Sequence, residues 1–189
     1  MTAARGRPAV FLDRDGVLTQ AFVRDGVPTP PRTLPEFRVL PGVADACADL
    51  RQAGFALVVV TNQPDIARGT QTRAELDRMH ERLRALVPLD EICVCPHDDA
   101  DGCSCRKPQP GMLLAAAGRL GLDLARSAGV GDRWRDIEAA LRAGVTAIHV
   151  DRHYREQAPA GAHLVVADLP EAATWIRAQQ WAPEGGWDG

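Results

Sequence analysis

The stretch Ala9-Val10-Phe11-Leu12-Asp13-Arg14-Asp15-Gly16 joins four consecutive apolar residues to two carboxylates and a glycine. An unbroken apolar run of this length reads as a strand covered on both faces, as central strands of parallel sheets are. In such a sheet ligands collect at the carboxyl ends of the strands, so Asp13 and Asp15 stand where chemistry belongs. Acids at i and i+2 beyond a buried strand can share a hard, oxygen-preferring cation. One can act as a nucleophile while its neighbour moves a proton. Taken alone, the tetrapeptide Asp13 to Gly16 reads equally well as a charged turn.

Outward from this strand, apolar runs alternate with helix-period segments, the pattern of β/α units around a parallel sheet. Val43 to Ala53 places Val43, Ala46 and Leu50 on one helical face and stops at Gly54; Phe55 to Val60 is the second strand. Thr72-Arg73-Ala74-Glu75 has the form of a capping box, and Leu76, Met79, Leu83 and Leu86 continue as one stripe. Glu91 to Cys95 reads as a third strand, and Pro110 opens a helix ending near Gly121. Ala128 to Val130, Val145 to Val150 and Leu164 to Val166 are further strands. Helices over Arg135 to Ala143, closed by Gly144, and over Leu169 to Gln179 complete the series. One domain over residues 1–182 with a frayed, glycine-rich tail at 183–189 is expected.

The exception is Gly16 to Leu40, which carries Pro28, Pro30, Pro31 and Pro35 and no helical period. Connections of this length are usually functional or disordered. A small hairpin turning at Asp25-Gly26, then an extended proline-rich stretch, is the reading adopted.

The chain has 189 residues, 22 Lys and Arg against 25 Asp and Glu, and a formal net charge of -3. That balance offers no long-range attraction to nucleic acid or an anionic membrane. No run approaches the roughly 18 apolar residues of a membrane span. Met1 to Arg7 has no apolar signal region behind it, so the cytoplasm is expected. A monomer is the default for this composition.

Two more polar clusters follow apolar strands. Thr61-Asn62 succeeds the second strand and offers a hydroxyl, an amide and backbone N–H groups to an anion. Gly131-Asp132-Arg133-Trp134-Arg135-Asp136 succeeds Ala128 to Val130 and opens a helix, with Asp132 and Asp136 one turn apart. Each could cap its own element, but three polar strand ends converging on one spot is the stronger reading.

Asp13-x-Asp15-Gly16, Thr61-Asn62 and Gly131-Asp132-x-x-x-Asp136, in that order, resemble the haloacid dehalogenase superfamily of phosphohydrolases, from about Pro8 to about Gln179. The resemblance implies a Rossmann-like, doubly wound α/β fold. It also implies a small phosphorylated metabolite as partner, Asp13 as nucleophile and Asp15 as general acid/base. Magnesium would be held by the Asp13 and Asp132 carboxylates and the Asp15 backbone carbonyl. Thr61 and Asn62 would bind the transferring phosphoryl group, and Lys107 would stabilise the transition state by charge.

Four of the five cysteines fall within Cys93 to Cys105. Cys95-Pro96-His97 and Cys103-Ser104-Cys105 form two ligand pairs across a short loop, a set that satisfies tetrahedral, structural zinc. Cys93 and Cys47 read as core residues. Cys-Pro-His, Cys-x-Cys-Arg106-Lys107-Pro108 and Pro110-Gly111-Met112 are similar to the zinc-containing heptose bisphosphate and histidinol phosphatases, which lack a large cap domain. In these the long loop, here Phe22 to Leu34, helps to shape the substrate pocket. Pro110-Gly111-Met112 leans toward heptose, and D-glycero-D-manno-heptose 1,7-bisphosphate, cleaved at C7, is the substrate implied.

Thr61-Asn62-Gln63-Pro64-Asp65-Ile66-Ala67-Arg68-Gly69 follows the heptose pattern except for Pro64-Asp65, where that branch usually has Ser-Gly. Asp65 can accept hydrogen bonds from sugar hydroxyls or equally repel a second phosphate, and in the latter case it suits a cationic amino-alcohol such as histidinol phosphate. The candidate substrate contacts are thus Thr61, Asn62, Gln63, Arg68, Arg106 and Arg133, with Arg24 and Arg32 as further candidates for a distal anion. An idle zinc-stabilised binding module is the reading from another class; the set Asp13, Asp15, Thr61, Lys107 and Asp132 speaks against it. His80, His149, His153 and His163 have no partner at motif spacing and read as packed or surface residues, and Trp175, Trp181 and Trp187 as packing.

Overall fold

The computed structural model describes residues 6–24 and 26–179. The expected tail at 183–189, Trp181, Trp187 and the turn residue Asp25 lie outside the described residues. β1 (Ala9–Leu12) is fully buried, and the short β2 (Phe22–Arg24) and β3 (Val27–Thr29) form an antiparallel hairpin. There follow α1 (Val43–Gln52), β4 (Ala56–Asn62), α2 (Arg73–Leu86), β5 (Glu91–Cys95) and α3 (Gly111–Leu120). β6 (Ala128–Gly131), α4 (Trp134–Ala143), β7 (Thr146–Val150), β8 (Leu164–Val166) and α5 (Leu169–Ala178) complete the described order.

Six strands form one parallel sheet in the order β5-β4-β1-β6-β7-β8, so the doubly wound expectation holds. Alternation along β1 sends Val10 and Leu12 to one face, with α1, α2 and α5, while Ala9 and Phe11 meet α3 and α4. Both faces of the strand are therefore apolar, which is why its sequence shows no polar alternation. The chain enters at β1, builds outward through β4 to β5, then returns to β6 and proceeds the other way. β1 thus lies at the topological switch, and the crevice outside its carboxyl end opens between β4 and β6. No large cap domain is inserted among the described residues.

Two local expectations are corrected. Thr72 caps α2 by accepting the Glu75 amide at 3.2 Å, but the Glu75 carboxylate does not return to close a capping box. It accepts the Leu34 amide at 2.6 Å instead, tying the proline-rich loop to α2. β4 also runs further than expected, so Thr61 and Asn62 are its last residues rather than the start of a loop. The connection from β7 to β8, residues 151–163, has neither helix nor strand, and nothing in its sequence had marked it.

Candidate active site

Asp13 leaves β1 with its amide donating to the Val130 carbonyl at 2.9 Å, which aligns it with the end of β6. Asp13 is 8% exposed, and its carboxylate receives Lys107 Nζ at 2.6 Å. The same ammonium donates to the Val60 carbonyl at 2.8 Å and meets Asp136 Oδ1 at 2.5 Å. Lys107 is fixed from behind by Asn62, whose amide accepts the Lys107 N–H at 3.1 Å and donates to the Lys107 carbonyl at 3.0 Å. Asn62 therefore spends its side chain on placing the lysine. Its expected contact with a phosphoryl group is limited to lining the cleft.

Oxygen atoms of Asp13, Asp132 and Asp136 lie within 4.8 Å of one another. Burial raises the Asp13 pKa to about 7, with Asp136 and Asp15 adding to it, because desolvation outweighs the attraction of Lys107. Asp132, 2% exposed, is pushed well above the usual carboxylate range for the same reasons. The Asp136 oxygens are taken, one by Lys107 and one by the Arg133 amide at 2.9 Å. Asp132 Oδ2 is taken by the Tyr154 hydroxyl at 2.8 Å, while Asp132 Oδ1 is buried and without a partner. Hard oxygen donors, excess buried negative charge and one orphaned oxygen fit a magnesium ion between Asp13 and Asp132. Gly16 keeps this space open. It has φ +89°, and a Cβ there would fall 1.8 Å from Asp132 Oδ2.

The Asp15 carboxylate is not part of this cluster but lines the cleft beside it. It accepts Arg14 at 3.0 and 2.8 Å, Thr19 Oγ1 at 3.0 Å and Gln63 Nε2 at 2.9 Å. Arg14 is fully buried, lies over the Phe37 ring at 5.7 Å and meets His80 Nε2 at 3.1 Å. Burial and the neighbouring Arg14 depress His80 to about 4, so it is a neutral acceptor at ordinary pH.

Gln63 needs correction as a substrate contact. It is fully buried, and its amide bridges Asp15 Oδ2 and Thr61 Oγ1, the latter at 2.8 Å. It orients the two groups that face the cleft. Thr61 accepts that bond and keeps its own O–H to donate.

The cleft has a volume of about 380 Å³, with Asp13, Asp15, Thr61, Lys107 and Asp132 at its floor. Val27, Pro28, Thr29, Pro30 and Arg32 of the long connection form one wall, as expected of Phe22 to Leu34. Arg68, Arg106 and Arg133 all reach it, each already paired. Arg68 holds Asp98 at 2.5 and 2.7 Å and lies 3.9 Å from Asp65; Arg106 holds Asp99 at 2.8 Å; Arg133 holds Glu156 at 2.6 to 3.1 Å. The Arg32 side chain has no acidic partner among the described residues. Arg24 does not line the cleft.

Cys95, His97, Cys103 and Cys105 come together in the loop that leads to Arg106 and Lys107. Their Sγ and Nδ1 atoms are 3.3 to 3.6 Å apart. A tetrahedron with metal–sulfur bonds of about 2.3 Å has edges of roughly 3.7 Å. The expected ligand set can therefore hold zinc with small adjustment, and it leaves no open position. Cys93 and Cys47 are buried in the core, as expected.

Arg14, His80, Tyr154 and Glu156 were missed by sequence reasoning. Arg14 had counted as the variable residue of its motif. The other three carry no spacing signal. Asp136 was visible in its motif, but its role as the second anchor of Lys107 was not.

A family model described as HAD-hydrolase-like matches residues 104–172. The chain is 38% identical over 197 residues to the D-glycero-beta-D-manno-heptose-1,7-bisphosphate 7-phosphatase of Escherichia coli (strain K12), covering 94% of this chain and 97% of the relative. It is 37% identical to that of Yersinia pestis, over 87% of this chain and 94% of the relative. Among solved structures, the D,D-heptose 1,7-bisphosphate phosphatase of B. bronchiseptica complexed with magnesium and phosphate superposes with a TM-score of 0.77 at 36% identity. The match covers 89% of this chain and 97% of that one.

Proposed function

The chain belongs to the haloacid dehalogenase-like phosphatases, and on that premise we propose that it hydrolyses a sugar phosphate, D-glycero-beta-D-manno-heptose 1,7-bisphosphate, at C7. The observation that carries the reading is the buried Asp13 carboxylate, bonded by Lys107 Nζ and within 4.8 Å of an Asp132 carboxylate whose Oδ1 has no partner. A phosphoryl group on the cleft floor would meet a nucleophile, an ammonium and a cation site together.

In the first step an Asp13 oxygen bonds to phosphorus, the P–O bond to the sugar breaks, and Asp15 gives the departing oxygen its proton. In the second, Asp15 takes a proton from water, the water oxygen bonds to phosphorus, and Asp13 leaves as a free carboxylate. Thr61 donates to a phosphoryl oxygen and Lys107 neutralises developing charge. Asp13, Asp132 and the Asp15 carbonyl would hold magnesium, which would supply charge neutralisation at the same group. Cys95, His97, Cys103 and Cys105 would hold zinc, which would brace the segment leading into Arg106 and Lys107, the residues directly after Cys105.

Arg32, whose side chain has no acidic partner among the described residues, is the group best placed to receive the distal phosphate. Asp65 on the cleft wall gives histidinol phosphate a specific foothold and makes it the second reading. The same account takes residues 1–182 as one domain acting as a monomer. It assigns the chain to the cytoplasm, where a reducing milieu keeps four thiols available to zinc. Among the described residues no helix is long and apolar enough to cross a membrane.

The test is phosphate release, with and without magnesium, from both anomers of the heptose bisphosphate, heptose 7-phosphate and histidinol phosphate. Preference for the β bisphosphate supports the reading. Preference for histidinol phosphate would transfer specificity to Asp65, and silence on all four would overturn the substrate class.

A further inference from the structure

The β7–β8 connection reaches over the carboxyl ends of β1 and β6 and is tied down at four points. Arg152 Nε donates to the Gly16 carbonyl at 2.8 Å, and the Tyr154 hydroxyl donates to Asp132 Oδ2 at 2.8 Å. The Arg155 amide donates to the Gly26 carbonyl of the hairpin at 3.0 Å, and Glu156 receives the Arg133 guanidinium. Tyr154 is the single tyrosine of the chain.

We propose that Tyr154 is a positioning residue for the cation site, acting through Asp132. The terminal torsion of an aspartate is broad and roughly two-fold, so packing alone fixes its carboxylate plane poorly. A hydrogen bond on Oδ2 fixes that plane, and it leaves the buried Oδ1 as the oxygen without a protein donor. Gly16 completes the cradle: a Cβ there would also fall 3.0 Å from the Tyr154 hydroxyl. The hydroxyl, Oδ2 and the open space at Gly16 thus form one fitted unit. Partners of this kind behind a metal ligand typically change affinity by about 10- to 100-fold. The inference rests on the reading of Asp13 and Asp132 as cation ligands.

The experiment uses zinc-loaded protein dialysed free of magnesium and titrated with Mn²⁺ or Mg²⁺ by calorimetry. Tyr154→Phe should weaken binding about tenfold or more, leave the melting temperature without magnesium unchanged, and regain its turnover number at saturating magnesium. Wild-type affinity in Tyr154→Phe would overturn the proposal, as would a turnover loss that magnesium does not restore. Glu156→Gln loosens the same connection without touching Asp132. If it weakens binding as much as Tyr154→Phe, the connection as a whole is responsible and the hydroxyl is not. Asp132→Asn separates the two readings: wild-type cation affinity there would overturn the ligand assignment itself.

Discussion

The carboxylate cleft and the thiol loop each gather polar groups around a point, but they solve opposite problems. In the cleft, Asp13, Asp132 and Asp136 are buried with like charges in reach of one another, and desolvation drives the first two toward protonation. The arrangement costs stability and leaves one Asp132 oxygen unpartnered, an opening that chemistry can use. In the loop, three thiols and an imidazole surround one centre and leave no position open. One region is strained and open, the other closed and satisfied. Lys107, two residues beyond Cys105, joins them. The loop is the scaffold from which the cleft receives its ammonium.

Substitutions should therefore separate the regions by which quantity they move. The largest effect belongs to the cleft. Asp13→Asn should lower turnover by at least about 10⁴-fold and leave the melting temperature within a few degrees of wild type. Loss of fold in this variant would break the contrast. The reverse holds in the loop. Cys105→Ser, or removal of zinc by a chelator, should lower the melting temperature by roughly 10 °C or more, with activity falling as Lys107 loses its support. A variant with wild-type melting and little activity would place the loop among the catalytic parts instead.

A smaller effect tests the support behind Asp15. His80 is held neutral at about 4 in the folded chain, against an ordinary value near 6.5. Between those values the unfolded chain binds the proton first. Its contribution is then complete above about pH 6.5 and drains away as pH falls toward 4, on the order of 3 kcal/mol in all. Denaturant titrations across this window should show a shallower decline for His80→Gln, whose carbonyl can still accept from Arg14. Equal slopes would remove His80 from the network. The smallest effect is at the cleft wall. Arg32→Ala should raise KM for the bisphosphate about tenfold and leave KM for heptose 7-phosphate within twofold. Equal changes for both would deny it the distal phosphate.

The same contrast explains what was legible in the sequence. The four residues that could hold zinc lie between Cys95 and Cys105, so their grouping was legible from spacing alone. The cleft is assembled from residues as distant as Asp13 and Asp136, and it was visible because each follows an apolar strand. β1 and β4 were plain because both faces are covered. What stayed hidden depends on side chains meeting across the fold. Arg14 is buried only because Phe37, His80 and Asp15 enclose it. Gln63 faces inward because Asp15 and Thr61 both claim its amide. Glu75 abandons its own cap for the Leu34 amide, which no local rule anticipates. Tyr154 sits on a connection without periodicity, and only the folded chain brings it to Asp132.

The central claim is covalent transfer to Asp13, and the most direct measurement is an acid quench of enzyme turning over substrate labelled with ³²P at the C7 phosphate. Wild type should retain label on the protein during turnover, and Asp15→Asn, slowed in both steps, should gain and lose it more slowly. That label should be released by hydroxylamine and map to the peptide holding Asp13. Label that survives in Asp13→Asn, or turnover by wild type with no label trapped in either protein at any time, would contradict the account.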